Sequence, residues 1–89
     1  MDPYNKKLNA VIYSNRALTF MKRKENLKAL DDLNKSLEMN PNYTKSLVRR
    51  AEVNMERGEY GDAALDYGKI QELDPSANLK AKIQEAQKK

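Results

Sequence analysis

The chain repeats itself at an interval of 34 residues. Sliding the 89-residue sequence along itself by that distance aligns ten identical pairs: Arg16/Arg50, Ala17/Ala51, Met21/Met55, Arg23/Arg57, Glu25/Glu59, Ala29/Ala63, Asp32/Asp66, Lys35/Lys69, Glu38/Glu72 and Pro41/Pro75. A period of this length marks one supersecondary unit per copy. Such a unit cannot bury its apolar face alone, so it stacks on its neighbour. The period therefore constrains the architecture before any single helix is assigned.

No stretch alternates with period two, and helix formers fill most of the chain, so the fold is expected to be all-α. Each proline follows Asp or Asn (Asp2-Pro3, Asn40-Pro41, Asp74-Pro75), a pairing that predicts helix starts near residues 3, 41 and 75. Breaks at Lys22–Glu25 and at Gly58-Glu59 divide the rest, giving five helical segments near 4–22, 26–39, 42–57, 60–73 and 76–88. Apolar spacing supports each. The second carries Leu27, Leu30, Leu33 and Leu37 at three-to-four spacing, whereas the fifth has only the narrow stripe Leu79, Ile83 and Ala86. Short connections predict antiparallel neighbours.

Composition narrows the chemistry. There is no Cys and no His, which excludes thiol nucleophiles, disulfides, histidine bases and the usual zinc ligand sets. Hydrophobic residues make up 39% and charged residues 34%, enough for a thin helical core under a solvated surface. No apolar run reaches the roughly 18 residues of a membrane-spanning helix, so no membrane partner is expected. The net charge of +4 fits an acidic partner, or simply a mildly basic helical surface. Asp31-Asp32 and Glu52/Glu56 have no partnering base and read as surface acids. With no base, nucleophile or metal set, no enzyme activity and no cofactor are expected.

A 34-residue helix-turn-helix period closed by Pro resembles the tetratricopeptide repeat (TPR) family, and the likeness covers residues 10–75. Repeat one runs over 10–41 and repeat two over 44–75, with 76–88 as a capping helix, all within one unit of 1–89. Tyr13 and Leu47 occupy the large position early in the first helix of each repeat. Ala17 and Ala51 occupy the close-approach position. Ala29 and Ala63 open the second helices, followed by Leu33 and Tyr67. Phe20 fits the late aromatic position. Asn54 does not, so looser packing is expected there, and Ser36 and Ile70 depart from the usual Ala. Glu85 stands where Ala17 and Ala51 would recur, so the fifth helix is a cap and not a third repeat. The resemblance implies a fragment of a right-handed superhelical α-solenoid. Asp2-Pro3 reads as the end of an earlier repeat, so the first helix is expected to expose apolar surface to an absent neighbour, with self-association as a consequence.

In such an array the first helix of each repeat lines a concave groove. Helix one then offers Val11, Ser14, Asn15, Leu18 and Lys22, and helix three offers Lys45, Val48, Arg49, Glu52 and Glu56. Lys45 and Arg49, four residues apart, share one helix face. Asn15 supplies an amide donor, Lys45 a point charge and Arg49 a planar fork, together a receptor for a carboxylate. The pattern Tyr13-Ser14-Asn15-Arg16-Ala17 with Lys45 and Arg49 resembles the carboxylate-clamp TPR co-chaperones, and most of all the TPR region of a J-domain co-chaperone. The resemblance implies a non-catalytic module that holds the acidic Glu-Glu-Val-Asp tail of a seventy- or ninety-kilodalton heat-shock chaperone in the cytoplasm or nucleus. Leu18 and Val48 would give apolar contact. The clamp would be partial, because its remaining Lys and Asn come from a preceding repeat. The rival reading is a scaffold in which the repeats pack against another copy. Interspersed acids argue against nucleic acid as a partner.

Overall fold

A computed structural model describes residues 5–77 and 79–88, without the side chains of 77, 80 and 86–88. It contains five α-helices, α1 (Lys6–Lys22), α2 (Asn26–Met39), α3 (Thr44–Arg57), α4 (Tyr60–Leu73) and α5 (Lys80–Lys88), and a short 3-10 turn over Pro75–Ala77. No strand occurs among the described residues, and no helix there is long and apolar enough to cross a membrane.

The helices pack as two antiparallel hairpins, α1–α2 and α3–α4, with α3 also lying against α1 and α2, and α5 against α4. Small residues allow the close approach: Ala17 and Ala29 in the first hairpin, and Ala51 and Ala63 in the second, are fully buried. The two apolar clusters interlock. Val53 of α3 joins Ala17, Ala29 and Leu33, while Leu37 of α2 joins Leu47, Ala51, Ala63, Tyr67 and Ile70. Leu79, just before α5, and Ile83 of α5 close the second cluster from the far side. Each hairpin thus lends one aliphatic side chain to the core of the other.

The helix starts differ from the Asx-Pro expectation. Asn40 ends α2 and Asp74 ends α4, each donating its backbone N–H to a carbonyl one turn earlier (Ser36 and Ile70). Pro41 lies in the connecting turn and Pro75 opens the 3-10 turn, so α3 begins at Thr44 and α5 at Lys80. The Asn40 and Asp74 side chains bond two residues on, to the backbone N–H of Asn42 and Ser76, and so stabilise turns. At the other end of the chain, Asn5 caps α1, its Oδ1 accepting from the Leu8 N–H at 3.0 Å. The Asp2-Pro3 signal lies outside the described residues, and the Ala86 side chain of the α5 stripe is not among those described.

The two hairpin turns are copies of one another. In both, the chain reverses through a left-handed residue, Lys24 (φ 61°) or Gly58 (φ 77°), 34 positions apart. The following N–H reaches five residues back: Glu25 to the Phe20 carbonyl at 2.9 Å, and Glu59 to that of Asn54 at 2.8 Å.

Asp32 is not a surface acid. It is 2% exposed and accepts Nε and Nη2 of Arg16, both at 2.7 Å. Asp66 accepts the same two nitrogens of Arg50 at 2.8 Å, and Arg50 also donates to Asn34 of the preceding hairpin. These hydrogen bonds raise both guanidinium pKa values above the ordinary arginine value. The repeated Arg and Asp are therefore one structural device, a bidentate pair tying the two helices of each hairpin.

Ser36 is buried and joins three helices. Its hydroxyl donates to the Ala10 carbonyl at 2.7 Å and shares a 2.6 Å hydrogen bond with the Ser46 hydroxyl. Asn54 is also buried, and its amide oxygen accepts from Arg57 at 3.0 Å. A depression of about 300 Å³ opens beside it, lined by Leu30, Arg50 and Leu65 among others. Leu27 is exposed despite its place in the α2 repeat, as are Leu8 and Ile12 on α1.

Candidate functional site

The groove lies where α3 crosses α1. Along α3, Lys45, Arg49, Glu52 and Glu56 follow one another at intervals of four, three and four, the spacing of a single helix face. Tyr43 precedes the helix and keeps the chain extended, so the first turn of α3 presents Thr44 and Lys45 at the mouth of the groove. Opposite them, α1 offers Leu18.

Leu18, Thr44, Lys45, Val48, Arg49 and Glu52 line one open depression of about 320 Å³. Four of the five residues expected to bind ligand are therefore neighbours. Lys45 is exposed, and Leu18 and Val48 are half-buried, so the floor is apolar and the rim cationic. The fifth, Asn15, is exposed on α1 and does not line this depression.

Arg49 is not a freely hanging fork. One of its terminal nitrogens donates to both the backbone carbonyl and the hydroxyl of Ser14, each at 2.8 Å. Ser14 itself is fully buried in α1, and so is a fastening point and not a groove contact. The bond spends one nitrogen of the guanidinium and fixes its direction, leaving the others for a ligand. No pattern in the sequence pairs Ser14 with Arg49, because their separation of 35 is a product of the crossing between hairpins. Thr44, which also lines the depression, was equally silent, a short polar side chain at a helix start.

A second depression of about 380 Å³ adjoins the first, sharing Leu18 and Glu52 and adding Met21, Lys22, Lys24 and Glu56. There the Lys24 ammonium meets Glu56 at 2.8 Å, joining the α1–α2 turn to α3. The groove thus runs from a cationic end at Lys45 and Arg49 to an end carrying two carboxylates and two ammonium groups.

No family model matches the chain. It is 37% identical over 87 residues to the DnaJ homolog subfamily C member 7 homolog of Dictyostelium discoideum, covering 97% of this chain and 16% of that protein. It is 30% identical over 87 residues to human DnaJ homolog subfamily C member 7, covering 98% of this chain and 18% of that protein. The chain spans less than a fifth of the length of these relatives. Among solved structures, the first TPR domain of Spaghetti (RPAP3), bound to the HSP90 peptide SRMEEVD, superposes with a TM-score of 0.84. It is 27% identical, and the match covers 98% of this chain and 67% of that one. The TPR2B domain of yeast Sti1, in complex with an Hsp70 peptide, gives a TM-score of 0.72 at 28% identity, covering 90% of this chain and 64% of that one. Matched in internal period, in helix order and in sequence to these domains, the chain has the tetratricopeptide-repeat fold.

Proposed function

We propose that the chain is a non-catalytic peptide-binding module of a co-chaperone. Its ligand is the acidic carboxyl-terminal tail of a seventy- or ninety-kilodalton heat-shock chaperone. Lys45, Arg49 and Asn15 form a partial carboxylate clamp, with Leu18 and Val48 as the apolar contact. The observation that carries the reading is the convergence of Lys45, Arg49, Leu18 and Val48 on one depression between α1 and α3. The peptides held by the similar Spaghetti and Sti1 domains support the choice of ligand. Asn15 stands 34 residues before Arg49, at the equivalent place on the first helix of the preceding hairpin, and an extended peptide can span both helices.

Calorimetric titration with an acidic chaperone-tail peptide tests this. Lys45→Ala and Arg49→Ala are each expected to weaken binding about tenfold, the effect of losing one charge-assisted hydrogen bond. Because Arg49 also holds Ser14, its variant is compared with Lys45→Ala and Asn15→Ala, whose side chains are exposed and whose loss leaves the fold intact. Equal affinity for wild type and the Lys45→Ala/Arg49→Ala double variant would defeat the clamp.

A second reading has its own observation. Leu8 and Ile12 are 45% and 41% exposed on one face of α1, a surface that a second copy could cover. Sedimentation at high concentration separates the two, since a clean monomer removes self-association.

A further inference from the structure

We infer that the groove also selects a basic residue upstream of the acidic end of its ligand, through Glu52 and Glu56. The inference rests on the clamp reading and names the class of tail the site takes: an acidic carboxyl end preceded by Arg or Lys. Three features of the groove carry it.

The first is the charge order on one helix face. Lys45 and Arg49 are followed on the same stripe by Glu52 and Glu56, so the α3 wall of the groove reverses sign along its length, while Lys22 and Lys24 from α1 and its turn face the two carboxylates. A uniformly acidic peptide anchored at Lys45 would lay its upstream carboxylates against Glu52. A peptide whose charge also reverses is complementary to this α3 wall along its length.

The second is spacing. Seven to eleven residues of helix separate Lys45 from Glu52 and Glu56, about 10 to 16 Å at 1.5 Å per residue. An extended peptide covers that in about three to five residues. The peptide held by the similar Spaghetti domain, SRMEEVD, carries its Arg five residues before its last.

The third is that a cation already sits at this end. The Lys24 ammonium lies 2.8 Å from Glu56 Oε1, on a side chain that is 75% exposed. Glu52 is exposed and makes no hydrogen bond or salt bridge among the described residues. Leu18 and Glu52 line both depressions, so a single chain can run from one to the other. A ligand guanidinium would take Glu52 and compete with the flexible Lys24 for Glu56, its planar fork being the better carboxylate partner.

The experiment is a double-mutant cycle. SRMEEVD and the same peptide with Ala in place of Arg are titrated into wild type and into Glu52→Gln/Glu56→Gln at low salt. On wild type, loss of the Arg is expected to weaken binding about two- to fivefold, the range of an exposed ion pair. On the double variant the two peptides should bind equally, and at about 0.5 M salt the wild-type difference should shrink. Equal loss on both proteins, or no loss on wild type, would overturn the inference. If wild type binds both peptides equally, the clamp stands and only the selectivity falls. If it binds neither, the clamp falls and the selectivity with it.

Discussion

Arg16 and Asp32 are partners in unequal surroundings, and the inequality is measurable. The Asp32 side chain is 2% exposed, whereas that of Arg16 is 56% exposed. Removing the arginine strands a buried carboxylate; removing the carboxylate charge returns an arginine to water. Arg16→Ala is expected to cost about 3 kcal/mol and Asp32→Asn about 1 kcal/mol, read as denaturation midpoints in urea. The left-handed residues give a second pair of opposite sign. Lys24 adopts that conformation with a Cβ and Gly58 without one. Lys24→Gly should stabilise by about 0.5 kcal/mol, steric relief exceeding the loss of an exposed pair with Glu56, and Gly58→Ala should destabilise by about 1 kcal/mol. Of these features, the ion pairs were legible in principle. Arg16/Asp32 and Arg50/Asp66 recur in register at a constant separation of 16. Composition alone could not tell Asp31, exposed, from Asp32, buried, because the difference lies in which acid faces the neighbouring helix.

Elements meet through a few polar contacts that no periodicity announces. Ser36 of α2 holds the Ala10 carbonyl of α1 and the Ser46 hydroxyl of α3 in a buried cluster. Ser36→Ala leaves both groups without this partner and should cost about 1 to 2 kcal/mol. Ser36→Ala/Ser46→Ala should cost less than the sum of the single variants, since the second removal takes away a group already left unpaired. Urea midpoints of the four proteins measure that coupling. Here the departure of Ser36 from the usual Ala marks a real change in the packing, with hydrogen bonding in place of a bare close approach. The helices themselves were readable from apolar spacing, to within a few residues at most ends. The error at Pro41 and Pro75 has a local cause. Asx before Pro is equally suited to a tight turn, and in a chain of short connections the turn claimed both. That Lys45, Val48 and Arg49 share one side of α3 with Leu18 opposite was readable because repeat register assigns a face; that Asn15 stands apart from their depression was not. The Arg49–Ser14 bond was not, because it forms only when two hairpins cross.

At the scale of the molecule, the buried ring of Tyr67 contributes an alkaline pH response. Burial, reinforced by the negative charges of Glu52 and Glu85, raises its pKa above the ordinary tyrosine value of about 10. A raised folded-state value means the unfolded chain loses this proton first, so the ring's contribution is complete below pH 10 and fades as pH rises beyond it. Thermal melts from pH 8 to about 11.5 should show a steeper alkaline loss for wild type than for Tyr67→Phe. The interlocked clusters set the cooperativity. Val53 lies in the core of the first hairpin although it belongs to the second, and Leu37 does the reverse. Val53→Ala should therefore lower the stability of both hairpins together by about 2 kcal/mol, with circular dichroism and tyrosine fluorescence moving through one shared transition. The same exchange bears on how such a chain can be cut or recombined. A unit excised at the Asn40–Tyr43 turn would carry away Leu37 from one core and leave a hole for Val53 in the other. The first cluster draws on residues 17 to 53 and the second on 37 to 70, so they overlap in sequence and no single joint leaves both cores whole; the hairpin that the repeat period outlines is not a separable module.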